Sequence, residues 1–88
     1  MLHRFWFEFL NSHPQGLPPG LRMGCGITAF SEEDAVEILR EKVFQKEEIA
    51  PITKKIIDVN VSLLDPGHIL PNIENPAARG VWFPIGYR

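Results

Sequence analysis

Phe5, Phe7 and Phe9 alternate with Trp6, Glu8 and Leu10 near the start of this chain. Successive side chains of an extended strand point to opposite faces, so a period of two predicts a strand with one thoroughly aromatic face. A face of that kind needs a second layer to cover it. The clearest helical spacing comes later, where Ala35, Val36, Leu39 and Val43 form an apolar stripe with Ile38 beside it and Phe44 in the last turn. Ser31 stands where an N-cap belongs, and Asp34, three residues on, is placed to reach back toward the cap. Glu32 and Glu33 suit the positive end of the helix dipole, which argues against an anion site there. Glu37 and Glu41 form a weakly repelling pair on the outer side.

Two further stretches alternate. In Leu21–Phe30, Leu21, Met23, Cys25, Ile27 and Ala29 share one face, and Arg22, Gly24, Gly26, Thr28 and Phe30 share the other. Ile57, Val59, Val61 and Leu63 alternate with Asp58, Asn60, Ser62 and Leu64, which predicts a half-buried third strand. Gly80–Pro84 is expected as a short last strand, with Pro84 confining it to an edge. Asn11–Gly20 is an irregular connection rich in Pro and Gly, and Lys46–Lys55 is a polar stretch broken by Pro51.

Together these elements predict an α/β (α+β) two-layer sandwich of order β-β-α-β. One main helix covers a small mixed or antiparallel sheet of three to four strands. The first strand fits between the other two, antiparallel to both, with the odd-numbered apolar residues toward the helix. Trp6, Leu10, Phe30 and Leu64 then lie on the opposite face, to be covered by the C-terminal segment or by a second copy of the chain. That segment, from Asp65 onward, sets Pro66, Gly67, Pro71, Pro76, Gly80, Pro84 and Gly86 among the anchors Ile69, Leu70, Ile73, Val81, Trp82, Phe83 and Ile85. It is expected as an ordered wrap of little regular structure.

Length and charge bound the function. Eighty-eight residues, 44% of them hydrophobic, make one small domain spanning 1–88 with a core of its own. A net charge of −2 gives no long-range attraction for phosphate backbones, so nucleic acid is not favoured. The single cysteine excludes an internal disulfide, and no stretch approaches the roughly twenty apolar residues of a membrane span. A soluble cytoplasmic chain with no membrane partner is the expectation. The string from Ile27 to Leu39, a strand running into a Ser cap, acidic residues and an amphipathic helix, resembles small half-ferredoxin-like modules. That likeness is one of architecture and carries no catalytic residue across.

The chemistry-bearing residues assemble no reaction motif. Cys25, on the apolar face of its strand, reads as a small core hydrophobe. His3, His13 and His68 have no metal-ligand spacing, so no metal or cofactor is expected. Gly24 and Gly26 leave a trough on one strand face, filled either by a neighbouring aromatic such as Trp6 or by a ligand. His68, Asn72, Asn75 and Arg79 are a candidate ligand or functional surface, with acid–base work on an anion as its sharpest reading. The plainer alternative has His68 and Asn72 bonding to loop backbone. Trp82 and Phe83 should point to opposite sides, leaving Trp6 or Trp82 as an interface anchor.

The leading expectation is a protein–protein interaction or regulatory module with a protein partner or a homodimer, and no enzyme. The second is a small-molecule binder or small enzyme with a pocket between the Gly24/Gly26 trough and the His68–Arg79 segment. The third is a subunit of a toxin–antitoxin or immunity-type pair.

Overall fold

The computed structural model describes residues 1–10, 16–45 and 47–87; His13 and the first half of the Asn11–Gly20 connection, Lys46 and Arg88 lie outside the described residues. Among the described residues four strands form one antiparallel sheet: β1 (His3–Phe9), β2 (Cys25–Ala29), β3 (Ile52–Ile57) and β4 (Gly80–Phe83), in the order β3-β1-β2-β4. The main helix α1 (Glu32–Ile38) runs on through a π-helical turn, Leu39–Val43. The expected α/β sandwich is present, with the aromatic strand β1 between β2 and β3 and antiparallel to both.

The helix begins as its sequence dictates. Ser31 caps it, its hydroxyl accepting from the Asp34 amide at 3.1 Å. The Asp34 carboxylate reaches one residue beyond the cap and accepts the Phe30 amide at 3.0 Å. Beneath the helix, Phe5, Phe7, Cys25, Ile27 and Ala29 of the sheet meet Ala35, Ile38, Leu39, Val43 and Phe44 in one buried cluster. Glu37, expected to repel Glu41, bonds instead to Arg40 at 2.5 Å.

Two strands depart from the expected bounds. The strand expected from Leu21 begins only at Cys25. Leu21–Met23 is a turn of 3-10 helix, and Gly24 follows at φ 127, a conformation open to glycine. Leu21 still enters the core, but Met23 is exposed. The third strand was expected at Ile57–Leu63; β3 instead spans Ile52–Ile57, and its exposed lysines gave no alternation to find. Asp58, at φ 56, ends it. Asn60 then draws Val61–Leu63 into a 3-10 turn by accepting the Ser62 amide on its side-chain oxygen at 3.1 Å. Val59 is buried as its alternation required, but on the side away from the helix, while Ile57 and Leu63 are exposed.

The second sheet face is covered by the chain's own C-terminal segment. Val59, Ile69, Trp82 and Phe83 are buried against Trp6, with Val61, Leu64 and Ile73 packed around them. Segment and sheet are joined at Pro76, whose carbonyl accepts Thr28 Oγ1 at 2.6 Å and Arg4 Nε at 3.3 Å. Trp82 and Phe83 do not diverge as expected. The β2–β4 register slips between Gly26 and Ile27, so that the step from Ile27 to Gly26 faces the longer step from Val81 to Phe83. An extra residue of this kind bends the strand and re-aims its side chains. Both aromatic rings consequently join Trp6 on one face.

Candidate functional site

The expected interface anchors are internal. Trp6 and Trp82 are 2% and 1% exposed, with ring centroids 6.0 Å apart. Their burial follows from the glycines of β2. A methyl group at Gly24 would fall 2.5 Å from the Trp6 ring, and one at Gly26 would overlap the Trp82 ring. The trough is thus the seat of two indoles, and holds no ligand space. Trp6 Nε1 donates to Glu8 at 2.9 Å, which satisfies one buried ring nitrogen.

The candidate group His68, Asn72, Asn75 and Arg79 divides in two. His68 stands in an exposed turn organised by Asp65, whose carboxylate accepts the Gly67 amide at 2.8 Å and faces His68 Nδ1 at 3.0 Å. Those bonds, the Gly67 amide foremost, hold the Asp65 carboxyl below its ordinary range. Asn72 donates to the His68 carbonyl at 2.9 Å, closing the same turn. Local backbone bonding accounts for both residues, the plainer of the two readings.

Asn75 and Arg79 line a cleft of about 240 Å³ with Ile38, Lys42, Glu74, Ala78, Gly80, Val81 and Tyr87. Asn75 turns its own loop by accepting the Ala77 amide at 2.9 Å. Arg79 donates through Nε to Asp34 Oδ2 at 2.9 Å and through Nη2 to Asp34 Oδ1. Its guanidinium carbon also stands 5.9 Å from the centre of the Phe30 ring. This grip, together with the Phe30 amide, lowers the Asp34 carboxyl to about 2. A bidentate pair fixes the plane of the guanidinium, and among the described residues no hydrogen bond takes its other N–H groups.

Lys42 reaches the cleft from the π-helical turn, one turn after Ile38. Among the described residues no ion pair engages it. Tyr87 closes the far end. Its hydroxyl donates to the Pro19 carbonyl at 2.7 Å, and burial pushes its pKa up. Lys42, Glu74 and Tyr87 carried no sequence signal as site residues, because only the crossing of the C-terminal segment over the end of the helix brings them together.

Cys25 is wholly buried, and burial pushes its thiol pKa up, which makes it unreactive. Among the described residues, no group of three or more His, Cys, Asp or Glu side chains is placed to hold a metal ion, and no helix is long and apolar enough to cross a membrane. Compared with protein-family models, with curated proteins and with solved structures, the chain matches none.

Proposed function

We propose that this chain is a small binding module whose ligand is a small organic anion seated in the cleft between Lys42 and Arg79. The single observation that carries this reading is a cleft lined by a clamped guanidinium, by an ammonium that no ion pair among the described residues engages, and by apolar Ile38 and Val81. An anionic group would take the other N–H groups of Arg79 and the charge of Lys42, and an apolar body would lie against Ile38 and Val81. A cleft of this size, below the roughly 300–1,000 Å³ of drug-sized sites, suits a compact molecule.

The interface reading anchored on Trp6 or Trp82 loses its support, because neither indole is free in the monomer. Nothing in the geometry favours a toxin–antitoxin or immunity-type pairing. Catalysis is not part of the proposal, since His68 lies outside the cleft lining.

Titration with acetate, benzoate and inorganic phosphate, followed by amide chemical shifts, tests the reading. Benzoate should shift the amides of Ile38, Lys42, Arg79 and Val81 more than acetate does, and Lys42→Ala should abolish the effect. Amides that stay still with all three anions would refute it.

A further inference from the structure

We infer that the outer edge of β3 is a docking edge for an extended, acidic-centred segment of a partner protein, which adds to the sheet as a fifth strand. The two edges of this sheet are not alike. On the β4 side the chain covers itself: the Glu74 amide donates to the Trp82 carbonyl at 2.8 Å. On the β3 side all strand pairing is with β1, flanked by Leu10 to Pro51 and Val59 to Arg4 backbone bonds at 2.9 and 3.0 Å. Among the described residues no backbone group bonds to the outer side of β3. Every second residue of that strand therefore presents an amide and a carbonyl outward, which is a template for strand addition.

The side chains of β3 select the occupant. Ile52 and Ile57 are 40% and 52% exposed at its two ends, with Lys54 and Lys55 between them. Lys55 is held by Glu32 of α1 at 2.8 Å, whereas Lys54 stands opposite Glu8 of β1, whose carboxylate accepts from Trp6, and no ion pair among the described residues engages it. A residue directly opposite on an added strand would stand about 5 Å away between Cβ atoms, close enough for opposite charges to attract and like charges to repel. The complementary segment is acidic at its centre and apolar at its ends.

The same charges disfavour a second copy of the chain, most of all in the register that sets Lys54, which no ion pair among the described residues engages, against its own copy. A two-fold axis normal to the sheet keeps each face continuous and so pairs residues of like parity. The two registers that engage most of β3 then set Lys54 against its own copy, or Lys55 against its own.

The test uses end-capped synthetic hexapeptides on the full chain. Val-Val-Glu-Glu-Val-Val has the complementary pattern in either strand direction; versions centred on two threonines or two lysines are the controls. The glutamate-centred peptide should slow amide exchange in β3 and shift its resonances. The threonine version should bind several-fold more weakly, and the lysine version about tenfold more weakly. Lys54→Glu, an exposed substitution whose fold is checked by circular dichroism, should reverse the order. Equal binding of the three peptides would overturn the acidic preference, and no binding would overturn the docking edge. Concentration-dependent dimers of the chain alone, with β3 amides protected, would also overturn it by making a second copy the occupant.

Discussion

The ring of Trp82 rests directly on the bare α-carbon of Gly26, in the space where any other residue would carry its Cβ. The contact helps close the wrap-covered half of the core, where the Trp6 ring packs against both Trp82 and Phe83.

Gly26→Ala is therefore expected to be among the costlier single-methyl insertions in this chain. The ring it would strike is buried, so overpacking should cost about 1–3 kcal/mol. Urea unfolding of the two proteins measures it; an unchanged midpoint would show that the indole moves aside freely.

Ile69 is 5% exposed and pins the C-terminal segment over Trp6. Ile69→Ala should cost about 2 kcal/mol or more, a large share of the stability of so short a chain. Removal of residues 65–88 should leave an aggregating or unfolded product, because the wrap face of β1 loses its cover along with β4. A soluble truncated chain with native circular dichroism would contradict both statements.

The Asp34 carboxyl is lowered to about 2 by its bonds to Arg79 and the Phe30 amide. A depressed folded-state pKa contributes stability that is present above the ordinary carboxyl range of about 4 and fades as pH falls toward 2. Carboxyl-carbon NMR should show Asp34 titrating near 2, and Arg79→Ala should move that midpoint upward. A midpoint near 4 in the unaltered protein would mean that the pair does not form in solution.

Cys25 should resist thiol reagents in the folded protein and react at once when denaturant is added, because the thiol is buried beneath the helix. Its labelling rate in native buffer thus reports opening of the core. Labelling as fast as that of a free thiol would place Cys25 at the surface.

Much of the fold follows from local rules that the sequence states openly. Alternation at Phe5–Phe9 fixes a strand whose phenylalanines share one face, and Ser31 with the stripe from Ala35 to Val43 fixes a helix to cover them. The acidic first turn and the burial of Cys25 are legible for the same reason, since capping, dipole and hydrophobic period all act within a few residues. The site is far less legible. His68 and Arg79 are near in sequence, yet the turn at Asp65 holds the first while Asp34, from the helix, holds the second. Lys42 and Tyr87, 45 residues apart, come to the cleft from the middle and the end of the chain. The strand at Ile52–Ile57 was hidden because a lysine-bearing edge, exposed along nearly its whole length, has no hydrophobic period to show. The slip opposite Gly26, which sends Trp82 and Phe83 to one face and buries both tryptophans, is set by pairing between strands distant in sequence. Neighbouring residues determine helix or strand where cap and hydrophobic period are strong, as at Ser31 and at Phe5–Phe9. Which charges meet, which edge stays open and which aromatic ring is covered are decided only when those segments pack together, because each is a contact between residues far apart along the chain.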